Sequence, residues 1–131
     1  MSATWELASQ YVRRVIRFEP AIGLYTSHFV NRITGSDLIS AERWTPEFDF
    51  RLNGERLTSL DQAWELIEVT AECDQPDFSG QFTIRLAHRA RRLEVRIDYD
   101  CEPHGTTKRL TIANTSDQPI TLTHLAIETL P

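Results

Sequence analysis

Two cysteines, one methionine, five glycines and four histidines are all that this 131-residue chain holds of those types. Cys73 and Cys101 stand apart, neither in a CxxC pair, which excludes the paired-thiolate spacing of zinc ribbons and redox motifs. They are read either as one disulfide or as two small buried residues. His28, His88, His104 and His124 include no HxH or HxxxH, so no ligand pair for zinc or iron is written along the chain and no metal or cofactor is expected. Glycine is scattered, with no phosphate-cradling loop, no Walker motif and no GxSxG. No run approaches the ~20 apolar residues of a membrane span. The opening MSATWELASQYVRR has no apolar stretch of the signal-peptide kind, so the expected compartment is cytoplasmic.

What the chain does hold is an ordinary globular composition, 40% hydrophobic and 25% charged, at a length that fits one domain. Its formal net charge of -5 argues against a general nucleic-acid binder, whose surface is basic. The charge is uneven. Arg85, Arg89, Arg91, Arg92 and Arg96 crowd one stretch in which Glu94 is the one acid. Such a stretch is a solvated sheet face or a surface for phosphates and acidic partners.

Periodicity sets the fold class. Leu93, Val95, Ile97 and Tyr99 alternate with Glu94, Arg96 and Asp98, the period of a strand with one face in a core. Phe82, Ile84 and Leu86 do the same, and the turn His88-Arg89-Ala90-Arg91 joins the two into an antiparallel hairpin. A further run begins at Leu110 and Ile112 and stops at Asn114-Thr115-Ser116-Asp117-Gln118-Pro119, a polar turn. The next holds Ile120, Leu122, Leu125 and Ile127. Read along the chain, the last three strands form a meander, with a bulge at Thr123-His124 where the phase slips.

Upstream, Phe48, Phe50 and Leu52 run into Asn53-Gly54, a strong hairpin signal. Thr4 to Gln10 is an edge strand. Leu24 to Val30 is a strand closed by the turn Asn31–Gly35, and Leu38-Ile39 starts another short one. In Tyr11 to Phe18 the residues Val12, Val15 and Ile16 break the alternation, which predicts a bulge near Arg13-Arg14. Leu60, Ala63, Trp64 and Ile67 have helical spacing, with Ser59 as a cap. The strand formers from Trp64 onward favour instead a turn at Leu60–Gln62 and a strand from Trp64 to Cys73. Eight to ten strands with frequent turns and no secure helix predict an all-β, antiparallel β-sandwich.

Chemistry is sparsely written. Glycoside hydrolysis needs two carboxylates facing across a cleft, and no spacing pairs Asp98, Asp100, Glu47, Asp49 or Glu55 in that way, so no catalytic residue is assigned. Trp44, beside Glu42 and Arg43 in a loop, is the candidate carbohydrate contact, because an aromatic face stacks on the C–H surface of a sugar ring while its polar neighbours reach hydroxyls. The other reading of Trp44 is a cover over the sandwich end. Trp5 and Trp64 are read as core or edge packing.

The segment LEVRIDYDCEPHGTTKRLTIANTSDQPITLTHLAIETL, from Leu93 to Leu130, resembles the later part of the N-terminal β-supersandwich domain of α-galactosidase-like, melibiase-type glycoside hydrolases. The likeness lies in Asn114, Asp117, Pro119, Leu122, Leu125 and Glu128-Thr129-Leu130. Earlier, Gly23-Leu24-Tyr25-Thr26-Ser27, Asn31 to Leu38 and Phe50-Arg51-Leu52-Asn53-Gly54 resemble that domain's opening strands and turns. Two departures stand out: Pro103-His104-Gly105 replaces a Pro-Gly pair, and Thr106-Thr107 follows where an apolar residue is usual. The resemblance implies a supersandwich, galactose-mutarotase-like fold, whole or trimmed, with residues 1–131 as one front module. The catalytic aspartates of those enzymes lie in a separate downstream barrel. The resemblance therefore implies a non-catalytic module that packs on a catalytic domain or a second subunit and that contacts carbohydrate.

Two other readings stand beside it. A structural or protein-interaction module without sugar binding predicts a buried Trp44 and an apolar edge or face that pairs, as in a homo-oligomer. A small sugar-isomerising enzyme predicts a concave face with a histidine and a carboxylate within reach of each other.

Overall fold

The computed structural model describes residues 2–39, 44–71, 80–102 and 105–128. Among them lie three antiparallel sheets and no helix. The first sheet has the order β1-β2-β3-β4, from Ala3–Ala8, Val12–Glu19, Gly23–Asn31 and Thr45–Pro46. β5 (Asp49–Leu52) and β6 (Glu55–Thr58) belong to a second, of order β11-β5-β6. β7 (Trp64–Ala71), β8 (Gly80–His88), β9 (Leu93–Glu102) and β10 (Gly105–Asn114) form the third, ordered β10-β9-β8-β7, and β11 is Leu122–Ala126.

Each sheet turns its alternate apolar residues toward one shared core. Leu7, Ile16, Phe18 and Leu24 come from the first sheet. Phe50, Leu52 and Leu57 come from β5 and β6, and Trp64, Phe82, Ile84, Leu86, Leu93, Val95, Ile97 and Tyr99 from the four long strands. Trp5 of β1 meets Phe82 of β8 with ring centroids 5.7 Å apart. Burying one such side chain contributes about 1.5–3 kcal/mol, so this cluster supplies the main drive for the three sheets to meet. Trp64 is fully buried, edge-on to Phe48 at 5.3 Å, and its indole N–H donates to the Thr58 carbonyl at 2.8 Å.

Local chemistry explains the turns. Asn53 and Gly54 both take positive φ, 51° and 85°, the requirement of a two-residue hairpin turn, and β5 and β6 pair across them. Gly23 has φ of 111°, and a Cβ there would run into the Ser59 carbonyl and the Asp61 amide. Ser59 stitches two sheets together: its Oγ donates to the Leu24 carbonyl at 2.5 Å and accepts from the Glu47 amide at 2.6 Å.

The expected strands are present as β1 to β3 and β5 to β10, including the strand from Trp64 and the β8–β9 hairpin, whereas β4 has no counterpart among them. Four expectations are corrected. β11 does not continue a meander: it pairs with β5, at Leu122↔Leu52 and Thr123↔Arg51. The turn at Asn114 is there, its side chain accepting from the Ser116 amide at 3.0 Å. It sends the chain across to another sheet, where Asn53 and Thr121 exchange two hydrogen bonds at 2.8 and 2.9 Å. The bulge expected at Arg13-Arg14 is absent. Val12, Arg14, Ile16 and Phe18 hold one phase, and the extra residue is Ser27 of β3, between Val15↔His28 and Ile16↔Thr26. Leu38-Ile39 forms no strand; only Asp37 bridges, to Val30. His88 ends β8 rather than forming a turn, and is buried edge-on against Trp64. The expected slip in β11 is present, with His124 at φ 53° between the paired Thr123 and Ala126. Cys73 lies outside the described residues, as does His104.

Candidate functional site

The inward phase of β2 places an arginine where a core residue belongs. Arg14 points between the sheets with 6% of its side chain exposed. Its Nε donates to Thr26 Oγ1 of β3 at 3.0 Å. Its Nη2 reaches both oxygens of Glu47, at 2.9 and 3.0 Å, where the chain passes from β4 to β5. Glu47 is fully buried and also accepts from the hydroxyls of Thr26 and of Tyr99 on β9. Lys108 of β10 donates to the Glu47 backbone carbonyl at 2.6 Å. The outer edge of the Arg14 fork holds Glu128 in bidentate fashion, Nη1 to Oε2 at 2.7 Å and Nη2 to Oε1 at 2.8 Å. The rings of Phe29 and Tyr99 lie 5.1 and 5.6 Å from its guanidinium carbon.

Six side chains from all three regions of the fold thus form one hydrogen-bonded network. Two cations face two anions, so the buried charges cancel. Desolvation pushes the Glu47 carboxyl up, but Arg14 and Lys108 outweigh it and hold the group below its ordinary range. Burial likewise works against the Arg14 cation and is overruled by Glu47 and Glu128. Burial lowers Lys108 and raises the Tyr99 hydroxyl well above its usual value. The arrangement holds an arginine and a glutamate ionised in a dry interior. Arg14 and Glu47 each favour the charged form of the other, so the arrangement reads as a built charge centre.

Of the expected sugar contacts, Trp44 is described, whereas Glu42 and Arg43 lie outside the described residues. Trp44 is 46% exposed and stacks on the buried Tyr25, with ring centroids 4.6 Å apart and planes at 24°. Tyr25 donates to Glu19 at 2.8 Å. The ring is therefore half exposed and braced on one face by Tyr25, a position that fits a sugar platform and a cover over the sheet end alike.

Arg85 and Arg96 of the arginine-rich stretch lie on a face where acids neutralise them. Arg85 and Arg96 lie opposite each other across β8 and β9, a costly like-charge pair on its own. Arg85 holds Glu68 at 2.8 Å and Glu94 at 3.0 Å, and Arg96 holds Asp98 at 3.1 Å. Glu68, Thr70, Gln81, Thr83, Arg85 and Arg96 line a polar recess of about 340 Å³ there. A second recess of about 360 Å³ is apolar, lined by Tyr11, Val12, Phe29, Val30, Ile33 and Leu38. Beside it His28 Nδ1 meets Asp37 at 2.7 Å. The Asp37 carboxylate also accepts from the amides of Phe29 and Ile39. Desolvation opposes its charge, and these three donors outweigh it and lower its pKa. No group of three His, Cys, Asp or Glu able to hold a metal occurs among the described residues.

Sequence reading missed the charge centre because Arg14 and Glu47 sit in polar-looking positions with nothing nearby along the chain to pair them. The signal was there in β2: Val12, Ile16 and Phe18 keep a period of two only if Arg14 faces inward with them.

No family model, no curated protein and no solved structure matches this chain.

Proposed function

We propose that this chain is a non-catalytic β-sandwich module of the supersandwich type whose work is docking between proteins, and that the partner is a second copy of itself. The core-side face of β11 carries this reading. Leu122 pairs with the buried Leu52, and Ala126 pairs with Asp49 on the outer face. Alternation then turns Leu125 to the side that Phe50 takes on β5, and Ile127 follows in a bend. Yet Leu122, Leu125 and Ile127 are 39%, 53% and 37% exposed. Among the described residues, these three apolar side chains at a sheet edge are covered only in part.

β11 ends its sheet, and Leu122-Thr123-His124-Leu125-Ala126 contains no acidic residue, lysine or arginine. Two copies meeting antiparallel about a two-fold axis would oppose the same uncharged edge and escape the repulsion of two net charges of -5. Sedimentation velocity across the micromolar range tests this. A dimer that Leu125→Glu converts to a folded monomer is the expected result. A wild-type monomer throughout the range would overturn self-docking. It would leave the face to a catalytic barrel of the kind that α-galactosidase-like enzymes carry.

A second reading, carbohydrate contact, is favoured by one observation: the half-exposed Trp44 ring braced by Tyr25. Titration with galactosides, glucosides and oligosaccharides, followed by tryptophan fluorescence, checks it. A saturable change lost in Trp44→Ala is expected if sugar stacks there. An unresponsive spectrum across the panel removes the sugar.

A further inference from the structure

Arg14 spends one edge of its guanidinium on the interior and the other on Glu128. The inner donors, to Thr26 and Glu47, are closed off inside the fold. The outer edge, Nη1 and Nη2, is a planar two-donor fork of the geometry that matches a carboxylate. Lys108 stands at its side, with Nζ 3.4 Å from Glu128 Oε1 and only 9% of its side chain exposed. Phe29 and Tyr99 wall the fork. Two cations, each nearly buried and each fixed by interior partners, therefore face the same carboxylate. The group that fills it is held differently. Glu128 is 34% exposed and follows β11, which pairs with β5 at only three register positions and carries a bulge.

We propose that Arg14 and Lys108 form a binding seat for a carboxylate ligand, and that Glu128 is its built-in, displaceable occupant. The donors are nearly buried, whereas the acceptor follows a strand whose side chains are almost all exposed. Rotation of the Glu128 side chain alone opens the seat. With Glu47 still in place, the vacated fork presents one net positive charge, from Arg14 and Lys108 against one glutamate. A buried guanidinium edge left without a partner is costly, which favours capture of another carboxylate. The ligand is either a free carboxylate, such as a sugar acid, or an acidic side chain offered by a peptide. This inference is independent of the docking reading.

The test is chemical replacement in Glu128→Ala. Sodium formate, glucuronate and the synthetic peptide LTHLAIE are titrated against sodium chloride at equal ionic strength, with thermal midpoint and the Arg14 Nε–H NMR signal as readouts. Expected is a lowered midpoint in the variant, with most of the loss recovered saturably by at least one carboxylate and with matching movement of the Arg14 signal. The wild-type protein should need several-fold more of the same ligand, since Glu128 competes. Adding Lys108→Met to the variant should weaken the binding several-fold without abolishing it. Formate or glucuronate acting alone assigns a free carboxylate, and response to the peptide alone assigns an acidic side chain. If none of the three exceeds chloride, or if wild type and variant bind equally well, the seat does not exist.

Discussion

Arg14 and Arg85 do the same thing in two places. Each guanidinium bridges two glutamates, Arg14 holding Glu47 and Glu128 and Arg85 holding Glu68 and Glu94. Arg14 lies inside the fold, whereas Arg85 is on an outer sheet face with 38% of its side chain exposed. In water the pair around Arg85 trades one set of solvated charges for another and is screened by salt. In the interior, removing one partner strands the others without solvent. Surroundings, not the number of partners, decide what each arginine is worth.

The largest expected effect is therefore Glu47→Ala. It leaves the Arg14 cation with only Glu128 and exposes Thr26 and Tyr99 hydroxyls to an empty space. A loss of about 3–5 kcal/mol, read from urea unfolding, is the expected cost of a broken buried pair. Replacing both partners, Arg14→Met with Glu47→Leu, should cost less than the two single changes summed, because no charge is stranded.

Acid is next. The folded Glu47 and Asp37 carboxyls both lie below their ordinary values. Their contribution is thus complete above the unfolded carboxylate pKa of about 4 and is lost as pH falls through the folded values. Unfolding followed from neutral to strongly acidic pH should show stability falling steeply below that point. In the Glu47→Ala background the fall should be shallower. An unchanged slope would mean that Glu47 is not the ionised group at the centre.

Glu128→Ala should cost less, about 1–2 kcal/mol, as expected for a partly solvated charged hydrogen bond. The smallest effect belongs to Arg85→Ala: a urea midpoint that stays within the scatter of replicate wild-type curves, with any residual difference vanishing in high salt. A large loss there would break the contrast with Arg14.

Much of the fold was legible because alternation reports burial directly. Leu93, Val95 and Ile97 announce β9, and Asn53-Gly54 announces the β5–β6 hairpin, since each signal is local. What sat beyond reach was pairing between distant segments. Nothing near Leu122 says that its neighbour is Leu52, and the polar turn before it is equally compatible with folding back on β10. The charge centre was hidden for the same reason, being assembled from Arg14, Thr26, Glu47, Tyr99, Lys108 and Glu128. Trp44 left two readings open, a sugar platform or a cover over the sandwich end, because a loop tryptophan beside Glu42 and Arg43 has no core phase to join. Its stacking on Tyr25 required the position of β3.

The most direct test of the contrast is a pair of double-mutant cycles run under the same conditions, one for Arg14 with Glu47 and one for Arg85 with Glu94. The expected result is a coupling of about 1.5 kcal/mol or more inside, as close desolvated charge pairs give, beside a coupling outside that cannot be told from zero. Equal couplings at the two sites would contradict the claim that location sets the value of the same ion pair.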